Sequence, residues 1–196
     1  FPEASMDYWL NSQDMLQHDN VIVRYCEVLG GAGYHTYVKD HPLQFGFRQR
    51  GLMQRLSKIP SVTLVPYDVP AGVLIGQCAV SVTFTGTIGF QAAIAGLCSI
   101  VTEPYYANDK HYLHVKNFKE IENVVQMIER WSPPSDLAAA RRDMIRHLVS
   151  ESVDGDYFTW RKFDRANPAH REKVEPLIRS LNRYLPRFLE PAAPDG

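Results

Sequence analysis

The chain has 196 residues, of which 45% are hydrophobic and 22% are charged, and its formal net charge is −1. This composition excludes an intrinsically disordered chain, and the near-neutral charge excludes a general nucleic-acid-binding protein, which would carry a strongly basic surface. The length is sufficient for one well-formed hydrophobic core with a small addition.

The cysteines, Cys26, Cys78 and Cys98, are odd in number and show no Cys-x-x-Cys pair, so neither a disulfide framework nor a zinc site is indicated. Each lies in an apolar stretch, which predicts buried, reduced thiols in a reducing compartment. No run of about 20 uninterrupted apolar residues occurs, so no membrane-spanning helix is predicted. We therefore expect a cytoplasmic protein.

The hydrophobic pattern predicts helices and short strands in regular alternation. Helices are predicted at 6–29, 48–58, 71–77, 88–95, 117–131, 136–149 and from 168 to about 189, and strands at 34–39, 62–65, 79–84 and 98–101. The glycines within 30–33 predict a helix stop rather than a dinucleotide-binding loop, because they follow a helix and lack the third spaced glycine.

Short apolar strands that alternate with helices predict an α/β fold, a Rossmann-like open parallel sheet with helices on both faces. We expect this domain to span 1–150. From residue 151 the pattern becomes aromatic and irregular and then helical, so 151–196 is predicted to be a C-terminal helical extension. The predicted helix from 168 to about 189 carries five Lys and Arg against two acidic residues. This excess indicates either an ordinary solvated face or a surface for an anionic partner.

Ligands of open parallel sheets bind outside the carboxyl ends of the strands, and three predicted strand ends carry distinctive residues. The first runs through Lys39 into Asp40, His41 and Pro42. Because Pro42 disfavours helical backbone at the preceding residue, His41 is expected to be extended at the rim of the sheet. An imidazole beside Lys39 could hold an anion or transfer a proton, although a packing or capping histidine fits the pattern equally well.

The second strand end is Thr85-Gly86-Thr87, immediately before the predicted helix 88–95. A helix N-terminus offers free N–H groups and a partial positive charge, and threonine hydroxyls add donors, so this segment can form a phosphate cradle. It lacks the lysine of a P-loop, which argues against hydrolysis of nucleoside triphosphates. A threonine N-cap with glycines for close packing of helix on sheet remains the alternative.

The third strand end places Glu103, Tyr105 and Tyr106 at the same rim, where phenols could line a sugar or base pocket, although exposed tyrosines are also ordinary in loops. Farther along, His111 and His114 lie three residues apart, but no cysteine or carboxylate nearby in the sequence completes a ligand set. No metal site is therefore predicted.

Several of these segments occur in an order that resembles one family. They are Pro2-Glu3-Ala4-Ser5, Val38-Lys39-Asp40-His41-Pro42, Gly46-Phe47-Arg48, the strand at 62–65, Thr85-Gly86-Thr87-Ile88-Gly89-Phe90-Gln91-Ala92 and a downstream Tyr105. Over about residues 1–115 the chain resembles the C-terminal half of the glycosyltransferases of bacterial capsule and surface-polysaccharide biosynthesis. This GT-B-type group includes the Kdo transferases of capsule assembly.

The resemblance implies a donor-binding domain that faces a second, acceptor-binding domain across a catalytic cleft, and a chain that is inactive without that domain. It implies catalytic roles for Glu3 and His41. The residues implied to bind the donor are Ser5, Lys39, Pro42, Arg48, Thr85, Gly86, Thr87, Gln91 and Tyr105. It further implies a CMP- or UDP-linked sugar as donor, a glycan or glycolipid as acceptor, no metal and no cofactor. The implied location is the cytoplasm or the inner face of the cell membrane.

Two positions depart from the family pattern: Phe1 stands where relatives have Gln, and Gln91 where they have Glu. A carboxylate at position 91 would hold a sugar hydroxyl by charge-assisted hydrogen bonds, which are roughly twice as strong as the neutral ones of Gln. Two alternatives therefore stay open. One is a nucleotide-sugar epimerase of the UDP-GlcNAc 2-epimerase kind, and the other is a non-catalytic module that binds sugar nucleotides in polysaccharide assembly.

Overall fold

The structure is a computed structural model that describes residues 15, 18–41, 50–102, 104, 106–108, 110–150, 164 and 166–189. The chain divides into two compact units, Phe1–His147 and Leu148–Gly196. In the first unit the helices are α1 (His18–Gly31), α2 (Arg50–Leu56), α3 (Ala71–Ile75), α4 (Ile88–Ala95), a 3-10 helix (Phe118–Asn123), α5 (Val124–Arg130) and α6 (Leu137–Ser150), whose last three residues are assigned to the second unit. Its strands are β1 (Thr36–Lys39), β2 (Val62–Val65), β3 (Val80–Val82), β4 (Cys98–Val101) and β5 (Leu113–His114).

The described strands form two parallel ladders. One joins β1 to β2 and pairs Thr36 with Val62. The other has the order β3-β4-β5, with Val80 opposite Cys98. The alternating strands and helices thus produce an α/β fold with small parallel sheets and helices on both sides. A single continuous sheet, as the Rossmann-like expectation requires, stays a prediction.

Strand β4 shows how helices cover both sides of a sheet. All four of its residues are buried, and successive side chains of a strand point to opposite faces. Cys98 and Ile100 belong to a core cluster that also contains α1 and α5 residues, among them Tyr25 and Val124. On the opposite face the Ser99 hydroxyl donates to a backbone carbonyl of α4 at 2.9 Å.

Helix α1 connects the two ladders through two core clusters. Val21 and Leu29 of α1 belong to the cluster under β4. Val23 and Cys26 of the same helix pack with Leu52 and Leu56 of α2 in a second cluster, which partly buried residues of β1 and β2 complete. The predicted glycine-rich helix stop is confirmed. Helix α1 ends at Gly31, and Gly33 has a φ of 88°, a left-handed conformation that glycine adopts without steric cost.

The predicted helix 117–131 is interrupted in the structure. Its first part is the 3-10 helix, and α-helical geometry begins only at Val124. Phe118, Ile121 and Val124 all pack in the same core cluster. They lie three residues apart, and a 3-10 turn places residues three apart in one row. The core therefore favours the tighter turn at this end.

The strands differ in burial: β4 is buried on both faces, whereas β1 and β2 are partly exposed. Tyr37 is 51% exposed and Leu64 is 37% exposed. Among the described residues these strands pair only with each other. β-Branched and aromatic residues also suit half-exposed strands, so their presence did not distinguish β1 and β2 from a fully buried strand.

The second unit contains α7 (Pro168–Leu189), which confirms the predicted helix in this region. Pro168 is its first residue, and the Asn167 side chain accepts a hydrogen bond from the Ala169 N–H at 3.0 Å. This is the usual chemistry of a helix start. Within the part of the chain that the structure describes, no helix is long and apolar enough to cross a bilayer.

Candidate functional site

The carboxyl end of β1 carries a network of polar contacts. The Lys39 ammonium is half-buried and donates to the backbone carbonyls of Asp40 at 3.2 Å and Tyr67 at 3.4 Å. The Asp40 carboxylate accepts the N–H of His41 at 2.8 Å and the hydroxyl of Tyr67 at 3.2 Å. Because Tyr67 follows β2, these bonds connect the ends of the two paired strands.

Asp40 was not among the predicted site residues, yet it organises this end of the sheet. Burial raises the pKa of its carboxyl group, and the hydrogen bonds from His41 and Tyr67 only partly offset that effect. The Asp40 carboxylate fixes the backbone of His41 through the hydrogen bond to its N–H, and His41 itself is exposed. The structure thus brings Lys39 and His41 together at one strand end, as the sequence predicts.

The carboxyl end of β3 leads into the Thr85-Gly86-Thr87 segment, and two side chains form hydrogen bonds with the backbone of Gly86 in this segment. The Thr83 hydroxyl accepts the N–H of Gly86 at 3.2 Å, and the Tyr106 hydroxyl donates to the Gly86 carbonyl at 2.6 Å. The N–H of Gly89 reaches the same carbonyl at 3.1 Å. The segment is therefore anchored to the protein core immediately before α4 begins.

Two predicted donor-binding residues lie at the start of α4, Thr87 just before the helix and Gln91 in its first turn. Thr87 and Gln91 are both exposed, and the Gln91 N–H donates to the Thr87 carbonyl at 3.1 Å, one helical turn back. Thr87 already has helical backbone angles, and its side chain caps no helix N–H. The threonine N-cap that competes with the cradle interpretation is thus absent at this residue, and both side chains face solvent on the same turn.

The glycines of this segment, in contrast, have a packing role. A Cβ on Gly89 would lie 2.5 Å from the Tyr106 hydroxyl oxygen and 3.0 Å from side-chain carbons of Thr83 and Val101. A Cβ on Gly86 would lie 2.7 Å from the Thr83 hydroxyl oxygen. Close approach of α4 to the sheet therefore requires glycine at both positions.

Tyr106 corrects one sequence expectation. It was expected to present a phenol at the rim, but it is only 1% exposed. Its ring packs edge-on against Phe90 with centroids 5.8 Å apart, and it contacts Tyr112 at 5.6 Å. The hydroxyl donates to the Gly86 carbonyl, so this buried residue supports the segment from the core side. Five predicted site residues, Glu3, Ser5, Pro42, Arg48 and Tyr105, lie outside the described residues, as does Glu103.

The histidines at 111 and 114 each have a structural partner. The Nε2 atom of His111 lies 2.8 Å from Oδ2 of Asp143, and the Lys110 ammonium lies 2.8 Å from the same oxygen. These two bonds lower the pKa of Asp143 to about 2. The ring nitrogens of His114 lie 3.3 Å and 3.4 Å from backbone carbonyls. Among the described residues, no group of three or more His, Cys, Asp or Glu side chains could hold a metal ion.

Two surface cavities of the first unit are lined by other residues. One, of about 490 Å³, lies beyond β5 along the 3-10 helix and α5, where His114 and Lys116 are among its lining residues. The other, of about 610 Å³, lies between the end of α4 and α6. Lys39, His41, Thr87 and Gln91 line neither cavity. The end of β1 carries an ammonium group and an imidazole, and the segment after β3 carries a helix N-terminus and a hydroxyl. These are groups that hold an anion such as phosphate.

Comparison of the chain with protein-family models, with curated proteins and with solved structures finds no significant match.

Proposed function

We propose that this chain is the nucleotide-sugar-binding domain of a metal-independent glycosyltransferase of bacterial capsule or surface-polysaccharide biosynthesis. The observation that carries the proposal is the chemistry at two strand ends. Lys39 and His41 follow β1. The exposed Thr87 and the start of α4 follow β3. Both sets of groups suit the diphosphate or phosphate of a nucleotide sugar.

The connectivity supports a shared site at these ends. Open α/β sheets bind ligands where successive crossovers turn in opposite directions, as between β1 and β3 in the strand order 2-1-3-4-5. The observed ladders, β1-β2 and β3-β4-β5, are the two halves of that order. Tyr34, just before β1, packs against the same core cluster as Val80 and Val82 of β3. A nucleotide sugar would then bridge the Lys39 end and the Thr87 end.

In the proposed reaction, an acceptor hydroxyl displaces the nucleotide phosphate at the anomeric carbon of the donor sugar. The leaving phosphate gains negative charge, which the Lys39 ammonium and the N–H groups at the start of α4 would stabilise. Asp40 would keep His41 in position through the 2.8 Å bond to its backbone N–H. By the family resemblance, Glu3 would take part in catalysis, and a facing domain would supply the glycan or glycolipid acceptor at the cytoplasmic side of the membrane.

The test is a calorimetric titration of the chain with CMP, UDP, GDP and their sugar conjugates. We expect one of the nucleotides to bind. His41→Ala and Thr87→Ala should each weaken that binding by on the order of 1–3 kcal/mol, or about 5-fold to 150-fold. The matched controls are His35→Ala and Thr63→Ala. These residues are also exposed, but they bond each other at 2.8 Å near the opposite end of the β1-β2 ladder.

The controls should leave nucleotide affinity unchanged. If no nucleotide binds, the proposal is wrong. If the control variants weaken binding as much as His41→Ala and Thr87→Ala, the strand-end site is wrong even though the chain binds nucleotides.

A non-catalytic sugar-nucleotide-binding module is the second candidate, and the exposed amide of Gln91 favours it. In a transferase that holds a donor hydroxyl at this position, Gln91→Glu should strengthen binding, because charge-assisted hydrogen bonds are roughly twice as strong as neutral ones. Unchanged affinity for the nucleotide sugar in Gln91→Glu would support the binding module instead.

A further inference from the structure

The cavity between the end of α4 and α6 has the properties of a second ligand site. Its volume of about 610 Å³ lies within the range of about 300–1,000 Å³ that is typical of small-molecule pockets. Apolar side chains form part of its wall, among them Leu97, Trp131 and Met144. Its charged groups lie mainly on α6 and on the segment that follows β4, away from the residues of the strand-end site.

The cavity is lined by more basic than acidic side chains: Lys110, Arg142 and Arg146 against Asp136 and Asp143. Oδ2 of Asp143 accepts hydrogen bonds from Lys110 and His111. The Asp136 carboxylate accepts the N–H of Ala139 at 2.9 Å and so caps the start of α6. Both carboxylates therefore already have partners, and no further acidic side chain is among the described residues that line the cavity.

Arg142 and Arg146 line the same cavity, and both are exposed. They lie one helical turn apart on α6, and like charges at this spacing destabilise a helix. In the part of the chain that the structure describes, neither guanidinium forms a hydrogen bond or an ion pair, whereas the neighbouring Arg141 donates to the Ile94 carbonyl at 2.7 Å. Two cations without a partner among the described residues thus line one partly apolar cavity.

We propose that this cavity binds a phosphate monoester carried on a ring, with Arg142 and Arg146 as the anion-binding residues. A dianion between the two guanidiniums would remove their repulsion and supply acceptors for their fixed N–H groups. The wall at Leu97 and Trp131 would cover the ring. This inference goes beyond the proposed nucleotide-sugar site, since none of its residues belongs to that site.

The experiment measures binding of phenyl phosphate and of inorganic phosphate to the full chain by calorimetry. Phenyl phosphate should bind more tightly than inorganic phosphate. The double variant Arg142→Gln/Arg146→Gln should weaken phenyl phosphate binding by about 10-fold or more, because hydrogen bonds to charged groups contribute about 1.5–3 kcal/mol each. Arg142→Lys/Arg146→Lys keeps both charges and should give an intermediate loss, which serves as the test if the glutamine variant fails to fold.

The matched control removes the same number of charges elsewhere in the unit. Lys58 and Lys119 are exposed, and neither lines this cavity, so Lys58→Gln/Lys119→Gln should bind phenyl phosphate as the wild type does. Thr87→Ala should also leave this binding unchanged, which separates it from the strand-end site. The proposal is overturned by absent saturable binding, by equal losses in the two glutamine variants, or by phenyl phosphate that binds no more tightly than inorganic phosphate.

Discussion

Replacing Gly89 with alanine tests whether the start of α4 is fixed by close packing against the sheet. The new methyl group would lie 2.5 Å from the Tyr106 hydroxyl oxygen and 3.0 Å from carbons of Thr83 and Val101. The hydroxyl cannot simply turn away, because it donates to the Gly86 carbonyl at 2.6 Å. Either that bond breaks or α4 moves away from β4.

The magnitude follows from two opposing effects. Overpacking a well-packed core costs about 1–3 kcal/mol, and three contacts at or below 3.0 Å favour the upper end. Alanine in a helix interior is favoured over glycine by about 1 kcal/mol, and Gly89, as the second residue of α4, gains at most this amount. We therefore expect Gly89→Ala to lower the free energy of unfolding by about 2 kcal/mol, which corresponds to a Tm lower by about 4–8 °C for a chain of this size.

The control is Gly51→Ala. Gly51 lies in α2, and a Cβ there would have no atom of the described residues within 4 Å. This variant should be more stable than wild type, by up to about 1 kcal/mol. Urea denaturation of both variants measures the two free energies of unfolding. A Gly89→Ala protein that is as stable as wild type would refute the packing argument.

A double-mutant cycle identifies the clash itself. Tyr106→Phe removes the oxygen that lies nearest to the new methyl group, at the cost of the bond to Gly86. Gly89→Ala should then be less destabilising in the Tyr106→Phe background than in the wild type, with a coupling energy of about 0.5 kcal/mol or more. Additive effects would show that the contact with Tyr106 does not limit how closely α4 packs.

Three further predictions concern other parts of the first unit. Lys110 and His111 lower the pKa of Asp143 from its usual 3.8 to about 2. The ionised carboxylate therefore stabilises the folded state above about pH 4, and this contribution is lost as the pH falls through 2. The difference in unfolding free energy between wild type and Asp143→Asn should shrink over this interval. Burial raises the pKa of Cys26 and Cys98 to about 11, so a thiol reagent at mildly alkaline pH should label both only after unfolding. Asn117 accepts the Glu120 N–H at 3.2 Å as the cap of the 3-10 helix, and Asn117→Ala should cost about 1 kcal/mol in a urea titration.

Local patterns predicted the elements that local chemistry determines. The helix 88–95 and the strands 62–65 and 98–101 agree with the structure residue for residue. Each is an apolar run with Gly or Pro near at least one end: Gly96 lies between the helix and strand 98–101, and Pro60 and Pro66 flank strand 62–65. Glycine and proline commonly end regular structure. The break at Val124 was not predictable in this way, because it depends on which core residues Phe118 and Ile121 contact.

In the candidate site, too, local relations were predictable from the sequence and contacts between distant residues were not. Lys39 beside His41, and Thr87 one turn before Gln91, are relations within a few residues of sequence, and the structure contains both. The bonds that position them join residues far apart: 27 residues separate Asp40 from Tyr67, and 20 separate Gly86 from Tyr106. Contacts at such separations depend on how the chain packs, which no local pattern in the sequence encodes.

The packing and ligand-binding interpretations of the Thr85-Gly86-Thr87 segment are compatible, because they use different atoms. Gly86 and Gly89 have backbone close to Thr83 and Tyr106, which holds α4 against the sheet. Thr87 directs its exposed side chain away from that contact and caps no helix N–H. Packing alone would therefore tolerate any small residue at 87, whereas a phosphate site that uses this side chain requires a hydroxyl. Thr87→Ser and Thr87→Ala should be equally stable, and only a role in binding would make the serine variant retain nucleotide affinity that the alanine variant loses.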